Sequence, residues 1–234
     1  MATPGTKPSR TPPIPPLRDG DRLTREEFER RYEAMPEVKK AELIEGVVYM
    51  PSPVRLVQHG QPHAHFVTWL GLYKFGTPGL LIGDNTTIRL DMQNEPQPDV
   101  CLMIEPDRDG AVQISADGYV VGAPELVAEV AASSVDVDLK AKLRAYQRNQ
   151  VREYVVWRVE DQAIDWFVLR ESSYAPLGLD EKGVYRSQVF PGLWLDSGAM
   201  VRSELMTVQQ VLRQGIGSPE YAAFVERLQH ASGH

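Results

Sequence analysis

A mixed α/β fold, one sheet flanked by helices, follows from three observations on the sequence. Short apolar runs such as PDVCLMI (98–104), PELVAEVAA (124–132) and EYVVWRV (153–159) have the length and β-branched content of strands. Two longer segments, 58–75 and 135–150, instead space their apolar residues as a helix does. The order is helix, strand, helix, several strands, helix, strands, which is not the strict alternation of a doubly wound fold.

The elements follow in turn. Residues 1–20, MATPGTKPSRTPPIPPLRDG, are rich in proline and poor in large apolar side chains, so a flexible arm is expected there. Thr24 with Glu27 three residues later has the form of a capping box and starts a helix over LTREEFERRYEAM. ELIEGVVYMPSP reads as a strand ended by prolines. QHGQPHAHFVTWLGLYKF turns helical after Pro62, with Phe66, Trp69, Leu70 and Tyr73 at core spacing. LLIG, TTIRLD, PDVCLMI, GYVVG and PELVAEVAA are short strands. VDVDLKAKLRAYQRNQ is a helix with Leu139, Leu143 and Tyr146 on one side. EYVVWRV, AIDWFVLRE and YAPLGL with VYRSQ form a run of antiparallel strands. From Met200 the pattern is helical again, broken by GIGSP at 215–219. The expected organisation is an arm over 1–20, a principal domain over 21–196 and a helical extension over 197–234.

Composition limits the function. The 234 residues are 42% hydrophobic and 24% charged, ordinary values for a globular protein. The single cysteine, Cys101, excludes both an internal disulfide framework and a cysteine-based zinc site, and suits a reducing cytoplasm. No apolar run approaches the roughly 20 residues of a membrane span, and the N-terminus lacks a signal-peptide core, so a cytoplasmic chain without a membrane partner is expected. The net charge of −7 argues against a chain that coats nucleic acid, and leaves room for an enzyme with a local basic groove.

Acids placed among apolar residues are the informative signal. Glu129 interrupts the run Leu126–Ala132, Asp99 opens the strand after Pro98, and Glu45 stands between Ile44 and Gly46. A carboxylate taken out of water needs a partner. Two carboxylates converging from neighbouring strands repel, and a hard divalent cation such as Mg²⁺ removes that repulsion. Glu129 is expected to titrate above a free glutamate through desolvation and like charge. Asp138, Lys142 and Tyr146 lie at i, i+4 and i+8, on one helix face that looks inward. Acids, a cation and a lysine together suit phosphodiester hydrolysis.

Pro98-Asp99, Glu129-Val130-Ala131, the spacing Asp138…Lys142…Tyr146 and VREYVVW, with ELIEGVVYMPSP and the following His59, resemble the Uma-type family of restriction endonucleases in the PD-(D/E)XK nuclease superfamily. The resemblance covers roughly residues 22–195. It implies a restriction-endonuclease-like core with added antiparallel strands, and a metal-dependent endonuclease acting on DNA. Asp99, Glu129 and the backbone carbonyl of Val130 would hold Mg²⁺, or Mn²⁺ in its place. Lys142 would act as the catalytic lysine and Glu45 as a further acid, with Tyr146, Asp138 and His59 in support. A homodimer would allow both strands to be cut. The superfamily pattern puts its lysine two residues after the glutamate, where this chain has Ala131. Lys142 would therefore replace it from the helix; Lys140 lies on another face and ranks below it.

Other readings remain open on the residues alone. Asp138 and Lys142 fit a solvated i, i+4 pair equally well. Asp99 fits a strand-end turn, Glu45 an exposed edge, and Tyr146 an ordinary core aromatic. A histidine-based metal site would need His59, His63 and His65 to converge, and no HExxH motif supports one; His63 and His65 read as ordinary helix-start residues. The basic stretch Lys140, Lys142, Arg144, Arg148, Arg152 and Arg158 is either a solvated face or a phosphate-facing groove. The competing function is a nuclease-like scaffold that binds nucleic acid or a protein partner without cutting.

Overall fold

The computed structural model describes residues 13–50, 53–132 and 137–231. In chain order the elements are α1 (Arg25–Glu33), β1 (Glu42–Ile44), β2 (Val47–Tyr49), α2 (Gln61–Gly76), β3 (Leu80–Asp84), β4 (Ile88–Arg89), β5 (Val100–Ile104), β6 (Gln113–Ile114), β7 (Val120–Val121), β8 (Leu126–Ala131), α3 (Leu143–Arg148), β9 (Glu153–Arg158), β10 (Ala163–Arg170), β11 (Ser173–Pro176), β12 (Val184–Arg186), β13 (Trp194–Asp196), α4 (Ser197–Val201), α5 (Leu205–Ile216) and α6 (Pro219–Ala231). Wide π-type turns, Leu56–Gly60 and Val137–Lys142, lead into α2 and α3.

Six strands form the central sheet in the order β11-β10-β9-β8-β5-β3. β8 and β9 run parallel, and the other neighbours are antiparallel. A parallel pair cannot be joined by a tight hairpin, so the chain crosses between them through α3. The antiparallel run β9, β10, β11 is the one expected from sequence. β12 pairs instead with β13 in a separate hairpin, and β4 belongs to a small second sheet with β7 and β6.

Alternation along β8 decides where its acid goes. Leu126, Ala128 and Val130 join a core with Phe66, Trp69, Leu70 and Tyr73 of α2. Val127 and Ala131 join a second core on the opposite face, with Tyr146 of α3 and Tyr154 of β9. Side chains two apart in a strand share a face, so Glu129 is directed toward α3.

Three departures from the sequence reading have physical causes. ELIEGVVYMPSP is a hairpin, not one strand. Ile44 pairs with Val47, and Glu45 and Gly46 between them have φ of 51° and 74°. A two-residue loop with both φ positive matches the strands' own twist; Pro51 and Ser52 lie outside the described residues. Within the expected arm, residues 1–12 lie outside the described residues, and Leu17 is only 4% exposed, packed with Phe28, Leu43 and Val48. Order therefore begins before residue 21. The C-terminal helices share the α2-side core through Met200, Val208, Leu212, Tyr221 and Phe224, so the 196/197 boundary divides no core. Of that extension, residues 232–234 lie outside the described residues, as do residues 135 and 136 at the start of the expected 135–150 helix.

Gly215 of α5 sits against the strand-end loop so closely that a Cβ would stand 2.1 Å from the Gly192 carbonyl oxygen. We expect Gly215→Ala to destabilise the protein by about 1–3 kcal/mol, the typical cost of overpacking. Urea denaturation should show this as one shifted cooperative transition; two transitions would make the C-terminal helices an independent unit.

Candidate active site

Val100 pairs with Ala128, so continuing the ladder sets Asp99 opposite Glu129. The two grip each other's backbones. The Asp99 N–H donates to Glu129 Oε2 (3.3 Å), and the Val130 N–H donates to Asp99 Oδ2 (2.8 Å). Both carboxylates are buried.

The other Glu129 oxygen, Oε1, accepts from Lys142 Nζ (2.9 Å) and from the Tyr146 hydroxyl (3.0 Å). Lys142 Nζ also lies 3.0 Å from Glu42 Oε1 and 3.5 Å from Asp138 Oδ1. The inward face carrying Asp138, Lys142 and Tyr146 is the one their spacing indicates, although the first part of the segment winds as a wide turn. Such turns recur at functional sites. Lys140 is exposed.

Asp99 Oδ1 faces a different set of cations. His59 Nε2 stands 3.3 Å and Lys40 Nζ 3.4 Å from it. His63 joins the rim, with Nε2 2.9 Å from Asp84 Oδ1 and 3.0 Å from the Asp99 carbonyl oxygen. His65 turns away toward Trp157, so the three histidines do not converge.

Titration follows from this geometry. Burial drives Glu129 up, to about 8; Lys142 opposes the rise, and Asp99, Asp138 and Glu42 add to it. Burial also works against the charge of Asp99, but His59, Lys40 and the Val130 N–H outweigh it and hold that carboxyl well below the usual range. Burial would lower Lys142, yet Glu129, Glu42 and Asp138 raise it well above an ordinary lysine. The hydrogen bond to Asp99 raises His59 against its own desolvation.

The structure thus brings together Asp99, Glu129, Val130, Asp138, Lys142, Tyr146 and His59. It does not bring Glu45 there. Glu45 occupies the hairpin turn, where its carboxylate takes Arg144 (2.6 Å) and lies 3.8 Å from Arg148. Glu42, three residues earlier, reaches the cluster instead and also accepts the Gln97 N–H (2.8 Å). The available signal was Glu45-Gly46 between ELI and VVY, a two-residue turn pattern that leaves Glu42 as the in-strand acid. Lys40 and His63 had no comparable signal, because their partners lie 59 and 36 residues away.

Two expectations follow. Lys142→Met removes the cation that three buried acids share and should cost about 3–5 kcal/mol, read by chemical denaturation. The second concerns pH. An unfolded glutamate ionises near 4.5, whereas Glu129 in the folded chain holds its proton to about 8. The folded state therefore binds more protons across that window, and its stability should fall as pH rises through it. Burial raises Glu95 and Glu153 into the same window, so Glu129→Gln should make that slope shallower without abolishing it in a pH series of melting curves recorded with chelator; an unchanged slope would assign it to those other groups.

A family model described as "Putative restriction endonuclease" (Uma2) matches residues 25–198. A search of curated proteins found no match. Among solved structures, the chain is similar to one described as a putative nuclease belonging to DUF820 from Anabaena variabilis. The two are 14% identical, the match covers 74% of this chain and 97% of that one, and the TM-score is 0.53. At that identity the likeness shows a shared fold. The family match spans most of the chain, and the chain belongs to the Uma2 family.

Proposed function

We propose that this chain is a divalent-cation-dependent endonuclease that hydrolyses phosphodiester bonds of DNA, with Asp99 and Glu129 as the carboxylate ligands and the Val130 carbonyl beside them. The observation that carries the proposal is the mutually hydrogen-bonded, buried Asp99–Glu129 pair. Its DNA substrate rests on the family; a second copy of the chain for the opposite strand is part of the same proposal.

The residues fit a hard cation. Four acids, Asp99, Glu129, Glu42 and Asp138, meet two ammonium groups, Lys142 and Lys40, so full ionisation of the acids would leave two negative charges in excess before His59 is counted. Among the described residues no group of three or more His, Cys, Asp or Glu side chains is arranged to hold a metal ion by itself. An ion held by two carboxylates, with water and substrate phosphate completing its shell, needs no such group; that is the habit of Mg²⁺, and Mn²⁺ takes the same oxygens.

When bound, the cation supplies charge neutralisation at the phosphate and a water of lowered pKa. The chain supplies the rest. Lys142 and Tyr146 hold Glu129 Oε1, and the Asp99 N–H holds Oε2, so the carboxylate is oriented before substrate arrives. His59 does the same for Asp99, and Asp138 and Glu42 keep Lys142 charged. Burial of this set excludes bulk water and strengthens each of these interactions.

Plasmid and oligonucleotide cleavage with Mg²⁺ or Mn²⁺ tests the proposal. Cleavage should need the cation and drop to background in Glu129→Ala and Lys142→Ala. Loss in Glu129→Ala alone would remove Lys142 from the mechanism. A folded wild type that cuts no DNA would shift the reading to a nuclease-like binding scaffold. Cation binding has its own readout. Glu129 must shed its proton to become a ligand, so calorimetry near pH 7 in buffers of different ionisation enthalpy should report release of about one proton, and affinity should strengthen as pH rises toward 8.

A further inference from the structure

An ammonium group has three N–H bonds. Around Lys142 Nζ stand three carboxylates, Glu129 at 2.9 Å, Glu42 at 3.0 Å and Asp138 at 3.5 Å. The residue is 5% exposed. A phosphate oxygen or an attacking water could take a hydrogen bond from it only by stripping a buried acid of its partner. Lys142 is placed to hold acids, not to meet substrate.

Lys40 differs on each count. It stands two residues before Glu42, and both side chains of this short step reach the cluster. Glu42 goes inward to Lys142, while Lys40 goes to the rim. Its Nζ lies 2.9 Å from Asn85 Oδ1 and 3.4 Å from Asp99 Oδ1, and its side chain remains 23% exposed. Two acceptors leave one N–H for a third. β8 offers no competitor, since position 131 is a buried alanine.

We propose that Lys40 is the lysine that meets the scissile phosphate, and that Lys142 is a positioning residue acting through Glu129. The inference rests on the nuclease reading above. In that hydrolysis the water oxygen bonds to phosphorus as the bond from phosphorus to the leaving sugar oxygen breaks. Water loses one proton and the departing oxygen gains one, giving a phosphomonoester and an alcohol. Lys40 exchanges no proton overall; its Nζ–H holds a non-bridging phosphate oxygen through the transition state, beside Asp99.

The test compares Lys40→Gln, Lys40→Arg and wild type in three measurements: single-turnover cleavage in Mg²⁺, affinity for a short DNA duplex in Ca²⁺ across a salt series, and Mn²⁺ affinity without DNA. Lys40→Gln should keep the wild-type melting temperature and bind Mn²⁺ as tightly or more tightly, because a positive charge beside Asp99 is gone. Its cleavage at saturating DNA should fall about a hundredfold, the scale of losing one transition-state donor. Its salt slope for DNA binding should shrink by about one. Lys40→Arg should recover part of both losses. Wild-type cleavage and an unchanged salt slope in Lys40→Gln would overturn the assignment, and so would a loss of Mn²⁺ affinity that matches the loss of cleavage. A wild type that binds Mn²⁺ but cuts no DNA would overturn the nuclease reading and this inference with it.

Discussion

Lys142 Nζ is the point at which three parts of the chain are tied together. Glu129 comes from the middle of the sheet, Glu42 from the β1–β2 hairpin, and Asp138 from the wide turn before α3. Apolar packing of Tyr146, Leu139 and Leu143 on Val127 and Ala131 seats this segment on the sheet, and the small neighbours of Glu129, Ala128 and Val130, face the other way into the α2 core. The ammonium sets how α3 and the hairpin approach the sheet, and Tyr146 fills the adjoining space with its hydroxyl on the same oxygen.

Such a cluster is a poor way to gain stability. Desolvating each ion costs several kcal/mol, and apolar side chains of similar volume often do as well or better. The parallel pair β8 and β9, bedded in Val127, Val156 and Tyr154, holds the fold together by burial. That burial is what permits acids to be gathered beside the same strands, with Glu129 directly across from Val156. The excess negative charge is tolerated in two ways, by a proton retained on Glu129 and by His59 and Lys40 on Asp99. Both are the kind of compensation a divalent cation replaces.

The sequence carried the strand acids and the α3-side residues of the site and missed those that reach it from elsewhere in the chain. Asp99 and Glu129 stand out because an acid inside an apolar strand has few innocent explanations, and strand alternation then states which way Glu129 points. Asp138, Lys142 and Tyr146 stand out because helical spacing survives even where the turn is wide. Glu42, Lys40, His63 and Asp84 meet the site only through tertiary packing, and local patterning carries no information about that. Glu45 shows the same limit from the other side: its apolar neighbours suggested burial, while the turn geometry of Glu45-Gly46 sent it outward to Arg144. The strands of the small second sheet are two residues each, too short for periodicity to define.

The distribution of charge bears on how an acidic chain could engage a polyanion. Much of its basic stretch is already answered. Arg144 pairs with Glu45, Arg148 lies 3.9 Å from Asp91, and Arg158 is held by Asp161 and Asp165. These pairs are partly exposed and contribute little stability each, but they cancel the field that would otherwise draw nucleic acid to the outer face of α3. Lys40 and His59 are different, because both stand on one buried carboxylate at the rim of the site, with His63 on the Asp99 carbonyl oxygen beside them. If a cation takes over Asp99, their N–H groups are released toward whatever approaches. Attraction for phosphate then appears at the reactive centre and depends on the cation being there, so an otherwise repelling surface would hold substrate only where and when it can be cut.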